Sequence, residues 1–430
     1  MAKTFRPYEP DQLLLMPPSL QDWVSEGHLV RLVSDVVDTL DLSAIEDSYE
    51  EERGFPPYHP SLMVKLLVYG YCTGVYSSRR IAEKLQDSVA FRFLAAGNEP
   101  DFRTISDFRK RHGEALAGLF DQVLAMCRES GLVTLGRVAV DGTKIKANAS
   151  KHKAMSYGRM KQKESETRLQ VKELLRRAEA IDAEEDRRYD RGRRGDELPV
   201  ELATRQGRLK KIREAKAALE AEARSKAEAE GKDPQQAKPA DKAQRNFTDP
   251  DSRIQKTPDG FIQGYNAQLA VDDAFQIIVS QDVTPTAPDV NELMPAVERI
   301  EDRLGSKPEQ VLADAGYWSE ENVQRLEAKG IEPFIATAKM KHGPPLPAPR
   351  GRPPQGLTVR ERMARKLRTK QGRRIYARRK VLAEPVIGQI KQARGFRQFL
   401  RRGVQKVRQE WALVCLAHNL RKLHTAMGMV

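Results

Sequence analysis

Apolar positions in the first 130 residues recur at helical spacing. Trp23, Leu29, Leu32 and Val36 make an amphipathic run with Ser19 as its N-cap, and LMVKLLVYGYCTG, opened by Ser61 and closed by Gly74, is a strongly apolar helix. SSRRIAEKLQ, VAFRFLAAG and RTISDFRKRHGEALAGLFDQVLAMC complete a helical unit. Short helices joined by tight turns, one starting Ser77-Ser78-Arg79-Arg80, fit either a helix-turn-helix reader or an ordinary bundle with wet arginines. Beyond residue 136 the period shortens. GRVAVDGTKIKANA alternates as a strand does, and FIQGYNAQLAVDD and FQIIVSQDVT predict two more, separated by a turn at Asp272-Asp273. A helix in DVNELMPAVERIEDRLG, a strand in EQVLADAG, a helix in SEENVQRLEAKG and a strand in IEPFIATA follow.

Between the first strand and the second lies a different text. Residues 151–245 hold 26 basic and 19 acidic residues and few large apolar side chains, the composition of long helices. Leu169, Lys172, Leu175 and Ala178 fall near one stripe, and GRLKKIREAKAALEAEA gives a second run, so two charged helices folded back as a hairpin are expected, followed by a polar linker. Without this insertion the order is β-β-β-α-β-α-β, then a basic stretch and a helix. Three antiparallel-type strands followed by right-handed crossovers make a mixed sheet. The expected fold is mixed α/β, an RNase H-like domain with a five-stranded mixed sheet and flanking helices. It is interrupted by the charged insertion and preceded by an all-α domain. The expected boundaries are 1–130 for the helical domain, 131–150 and 246–430 for the two parts of the RNase H-like domain, and 151–245 for the insertion.

Charge sharpens this picture. The chain carries a formal net charge of +14 over 430 residues, which favours a polyanionic partner. From Lys339 to Arg408 there are 22 Lys+Arg against two acids, Glu361 and Glu384, a balance of +20 that leaves the other 360 residues at −6. Interleaved Tyr376, Ile390, Phe396 and Phe399 speak against a merely solvated tail. The three cysteines, Cys72, Cys127 and Cys415, are too scattered for a disulfide scaffold or a zinc module, no apolar run is long enough to span a membrane, and no secretory leader opens the chain. A cytoplasmic, nucleoid-associated protein is expected.

Two carboxylates stand where chemistry is expected. Asp141 ends the apolar run Val138-Ala139-Val140 and Asp314 ends Val311-Leu312-Ala313, so adjacent strand ends would set them side by side. Two such carboxylates repel, which raises a pKa or calls for a hard divalent cation. Glu384, nearly alone among cations, is the third candidate. These segments, with DGFIQGYNAQLAVDD, YARRKVLAEPVIGQIKQARGFRQFLRRG and EWALVCLAHNLRKL, resemble the DDE transposases of bacterial insertion sequences, in particular IS1182-like members of the IS4/IS5 group, over nearly the whole chain.

The resemblance implies that Asp141, Asp314 and Glu384 are the catalytic, metal-binding triad. Two Mg²⁺ ions per site, replaceable by Mn²⁺, would drive in-line strand cleavage and strand transfer on double-stranded DNA, both terminal inverted repeats and target, by at least a homodimer. The family's Tyr-x2-Arg-x3-Glu-x6-Lys signature is present as Tyr376-x2-Arg379 and Glu384-x6-Lys391. Four residues separate Arg379 from Glu384, so either Arg379 or Lys380 fills the arginine's place. With Arg373, Arg374 and Arg378, these residues are the expected phosphate contacts. Trp318 is a candidate for stacking on an extruded base, with a core or lid role as the plainer account. Pro385 requires the helix carrying Glu384 either to begin near it or to kink there. The rival readings are a non-mobile RNase H-like nuclease or DNA-binding descendant, and a basic chromatin or RNA-binding protein.

Overall fold

The computed structural model describes residues 19–49, 56–188, 200–258, 260–338, 347–349, 351–352 and 354–428, with the side chains of 177–188 and 200–203 left aside. The chain divides into two compact units. The first comprises the described parts of 1–134, 274–278 and 412–430. Its helices are α1 (Leu20–Trp23), α2 (Leu29–Thr39), α3 (Ser43–Glu46), α4 (Pro60–Thr73), α5 (Ser78–Asp87), α6 (Val89–Ala95), α7 (Phe102–Arg111) and α8 (Gly113–Glu129). The amphipathic run beginning at Ser19 is broken. Ser19 caps α1 in a reciprocal box with Asp22, but α1 stops at Trp23, which is exposed, and His28 caps a new helix through its Nδ1. Helix α4 likewise opens at His59 and Pro60 rather than at Ser61, because proline is pre-set for the first helical position. Gly74 ends it with φ 81°. Val33, Val64, Leu67, Phe120 and Val123 are fully buried in this unit's apolar core, and Cys72, Cys127 and Cys415 are buried free thiols.

The second unit, 135–273 and 279–411, holds the sheet. Its elements are β1 (Arg137–Lys146), β2 (Ala154–Ser156), α9 (Tyr157–Arg188), α10 (Val200–Ala229), β3 (Gln244–Asn246), β4 (Arg253–Thr257) and β5 (Gly260–Asp272). There follow β6 (Ile278–Thr284), α11 (Leu293–Leu304), β7 (Gln310–Ala313), α12 (Glu320–Ala328), β8 (Glu332–Ile335), α13 (Val359–Arg368) and α14 (Lys370–Gly388), while α15 (Val404–Ala426) begins in this unit and belongs to the first from Ala412 onward. The main sheet has six strands, not five, in the order β4-β5-β1-β7-β8 with β6 also paired to β5. The extra strand is β4, whose text RIQKT carries too few apolar residues to announce itself. It pairs antiparallel with β5 from Thr257 opposite Gly260 to Arg253 opposite Gly264. β1 is central, antiparallel to β5 and parallel to β7, and β7 is parallel to β8. A strand covered on both faces reads as a continuous apolar run, as Val138, Ala139 and Val140, all buried, do.

The insertion is a helical hairpin, α9 against α10, closed at its root by the antiparallel pair β2-β3. Its apolar contact is not the expected stripe. Leu169 and Leu175 are exposed, Ala178 lies outside the described side chains, and the cluster is instead Tyr157, Met160, Ile212, Ala215 and Leu219 at the root. Among the described residues no helix is long and apolar enough to cross a membrane.

Candidate active site

Strand register brings the two aspartates together. Val140 pairs with Ala313 across parallel strands, and Asp141 and Asp314 each follow by one residue at the same end. Neighbouring strands lie about 4.8 Å apart, so the two carboxylates project from adjacent backbone positions. Asp314 leaves the strand as the N-cap of a short 3-10 turn, Ala315–Tyr317, its Oδ1 accepting from the Gly316 N–H at 2.7 Å. Asp141 Oδ1 accepts from the Gly142 N–H at 2.9 Å.

The third acid comes from α14, and the residue that ties it in is Arg379. Its Nη1 donates to Asp141 Oδ2 at 3.0 Å and its Nη2 to Glu384 Oε1 at 3.2 Å. Arg379 and Asp141 are each only 14% exposed in their side chains, whereas Glu384 is 51% exposed. The Asp141 carboxyl is pushed up to about 6, first by burial; Arg379 acts against that shift, and Asp314 and Glu384 add to it. Burial opposes the Arg379 charge, yet the surrounding Asp141, Tyr376, Asp314 and Glu384 raise its pKa. The Tyr376 phenol is raised first by burial, with Arg379 acting against that shift.

The cation beside the carboxylates is therefore Arg379, and Lys380 is exposed. Helix α14 runs from Lys370 through Pro385 to Gly388 and continues as a π-helical turn, Gln389–Ala393, so the helix neither starts at Glu384 nor breaks there. Lys391, on that turn, is half-buried and donates to Thr143 Oγ1 at 2.9 Å and to the Lys144 carbonyl at 3.0 Å. It is docked on β1, and burial lowers its pKa. Arg378 is drawn to Asp273, its Nε donating at 2.8 Å, and Asp273 also accepts from Arg137 Nη1 at 2.8 Å. With Arg374 these residues line a cleft of about 460 Å³. Arg373 is half-buried on α14. Trp318 is half-buried just past the 3-10 turn, while its neighbour Tyr317 is fully buried with its hydroxyl donating to Gln268.

A second polar group lies beside Asp314 and was not expected. Asp289, just before α11, accepts from Asn266 Nδ2 at 2.6 Å, from Gln268 Nε2 at 2.8 Å and from Lys144 Nζ at 3.4 Å. Register sets Asn266 opposite Lys144 and Gln268 opposite Gly142, on one face of the sheet. Gly142 makes room for the group: a Cβ there would stand 2.6 Å from Gln268 Nε2 and 2.8 Å from Asp289 Oδ1. The available signal was Asn266 and Gln268 themselves, polar residues at alternate positions of an otherwise apolar strand.

The donors Asp141, Asp314 and Glu384 are oxygens only, the set that a hard divalent cation accepts, and the Arg379 guanidinium already occupies the position of a positive charge between two of them. Among the described residues no three acids or other ligand side chains converge as they stand. The donor chemistry fits a metal, and in this arrangement Glu384 is bound to Arg379.

Two families match. Residues 18–111 match the Transposase domain (DUF772), and residues 354–424 match the Transposase DDE domain. The second span contains Tyr376, Arg379, Glu384 and Lys391; Asp141 and Asp314 lie outside both. No curated protein and no solved structure matches the chain significantly. The class is that of an enzyme acting on DNA in transposition and recombination. The two matches support a DDE transposase of an insertion sequence, and the pairing of these two domains fits the IS1182-like subgroup. That family implies dependence on a divalent metal, typically Mg²⁺.

Proposed function

We propose that the protein cuts the ends of its own element and joins them to target DNA by in-line phosphoryl transfer, with Asp141, Asp314 and Glu384 as the catalytic triad. The sheet order β6-β5-β1-β7-β8, antiparallel then parallel, supports an RNase H-like catalytic domain made of 131–150 and 246–430 around the insertion. The observation that carries the reading is the one-residue overhang of Asp141 and Asp314 beyond a paired position of adjacent parallel strands. Two Mg²⁺ ions, held by these two aspartates and Glu384, supply activation of the attacking hydroxyl and charge stabilisation of the leaving oxygen when bound.

The chain's own groups set up that chemistry. Arg379 keeps Asp141 and Glu384 neutralised and holds both side chains in place. Tyr376 and Lys391 position α14 and its π-helical turn against β1. Arg373, Arg374, Arg378 and Lys380 contribute phosphate contacts, Trp318 stacks on an extruded base, and the helical domain reads the terminal repeats or assembles a homodimer at the nucleoid.

The test uses the full-length protein, Mg²⁺, and a supercoiled plasmid carrying the element's two ends. Cleavage at the ends and their joining to a second plasmid are expected. Cutting without end preference or joining would indicate a non-mobile nuclease instead.

A further inference from the structure

The cations of the helical insertion fall into two populations. One is neutralised within the insertion: Arg213 and Lys216 both reach Glu164, at 3.1 and 2.9 Å, and Lys161 reaches Asp241 at 2.8 Å. The other is unpaired and spread along the insertion, and four of its members stand together: Lys153, Arg159, Arg208 and Lys211. All four are exposed and none forms an ion pair among the described residues. They gather around one groove of about 830 Å³ at the root of the hairpin, floored by Met155, Ile212 and Phe247 and lined by no acid among the described residues.

The groove is built on a fixed scaffold. Phe247 N–H donates to the Lys153 carbonyl at 3.0 Å, holding the two chain segments of the root together. Ile212 belongs to the cluster with Tyr157 and Met160. On α10, Thr204, Arg208 and Lys211 are spaced four and three apart, so they share one helix face. Gly207 stands among them, and a Cβ there would meet nothing within 4 Å, so this wall is open to solvent.

We propose that this groove binds the phosphate backbone of duplex DNA, a contact separate from the basic segment 339–408. Four unpaired cations facing one another repel, and a polyanion is the partner that relieves the repulsion. An acidic protein surface would meet the same charges, but the enzyme's substrate already supplies phosphates at regular spacing. Lys153 is twelve residues beyond Asp141, so the two lie no more than about 43 Å apart even on a fully extended chain, on the order of twelve base pairs of duplex. A duplex longer than that span is long enough to reach both the groove and the catalytic carboxylates. The proposal rests on the reading of the protein as a transposase.

The experiment compares full-length protein with the variant Lys153→Gln, Arg159→Gln, Arg208→Gln, Lys211→Gln on a duplex carrying the element's end. Binding is followed from about 50 to 200 mM salt. Each phosphate left without its cation lowers the slope of log K against log salt by about 0.9, so a fall of about three and a half units is expected. Arg213→Gln with Lys216→Gln, on the self-neutralised side, is expected to leave the slope unchanged. Should the fourfold variant fail to fold, Arg208→Glu alone is expected to lower the slope by about one unit, and an unchanged slope there overturns the proposal. A fall of less than about two units in the fourfold variant also overturns it. A wild-type slope in a variant that no longer self-associates in sedimentation gives the groove to a second copy of the chain, and that too overturns it. Wild-type cleavage of the end-bearing plasmid, measured alongside, separates the failures: no binding and no cutting sinks the transposase reading, whereas normal cutting with an unchanged variant slope sinks the groove alone.

Discussion

Arg379 and Asp141 form a nearly buried ion pair at 3.0 Å, and the same guanidinium holds Glu384 at 3.2 Å. Removing one partner of a buried pair leaves the other uncompensated, typically at a cost of several kcal/mol. Glu384 is half-exposed, so most of the loss is expected from Asp141. Arg379→Gln is predicted to lower stability by about 2–3 kcal/mol in metal-free buffer, measured by thermal or urea unfolding. Added Mg²⁺ should recover more stability in the variant than in wild type, because it relieves a repulsion that Arg379 otherwise suppresses.

Gly142→Ala tests the polar group around Asp289. The added Cβ would collide with Gln268 Nε2 and Asp289 Oδ1 at 2.6 and 2.8 Å, and both side chains are held by hydrogen bonds. Overpacking of this kind destabilises by about 1–3 kcal/mol. The expected outcome is a lower urea midpoint together with reduced DNA cleavage, since Gly316 and Asp314 stand on the other side of Asp289.

The basic segment is not uniform, and its salt dependence should show it. Arg374 and Lys380 are exposed and have no ion-pair partner among the described residues, while Arg378 is bound to Asp273. Arg374→Gln and Lys380→Gln are each predicted to reduce the salt slope of DNA binding by nearly one unit, the effect of leaving one phosphate without its cation. Arg378→Gln should reduce it less.

Asp249 gives a pH dependence. Buried, it accepts from the Tyr265 hydroxyl at 2.8 Å and the Gly403 N–H at 3.1 Å, and burial raises its pKa above the ordinary 3.8. A raised folded-state value means that the protonated form is favoured by folding. Its stabilising contribution is fully present below 3.8 and is lost as the pH rises through the raised value. Asp249→Asn keeps an oxygen acceptor and cannot ionise. Its stability relative to wild type should therefore grow with rising pH across that window, as measured by urea unfolding at a series of pH values.

Much of the candidate site's placement was legible because strand ends are written in apolar runs. Asp141 and Asp314 each terminate such a run, and the order of strands and helices around the insertion follows from the change of period. Three things were not legible, each for a physical reason. Strand β4 is a polar edge hairpin that lacks alternation strong enough to distinguish it from a loop. Helical spacing singles out Lys380 as the neighbour of Glu384 on one face, but Glu384 sits toward solvent, and the longer reach of Arg379 from the side facing β1 joins the two acids. Asp289 lies in a connection whose place over β5 depends on tertiary contacts. In the insertion, charged tracts place leucines at helical spacing without any partner to bury them, and the apolar contact collects at the root.

The most direct measurement is cleavage and strand transfer by Asp141→Asn, Asp314→Asn and Glu384→Gln on an end-bearing plasmid with Mg²⁺ or Mn²⁺, alongside end binding at fixed salt. Metal ligands serve the chemical step while cations supply affinity. Each variant is predicted to lose both reactions and to bind ends within a few fold of wild type. A variant that cleaves at the wild-type rate would remove that residue from the triad, and wild-type rates from both aspartate variants would contradict the account.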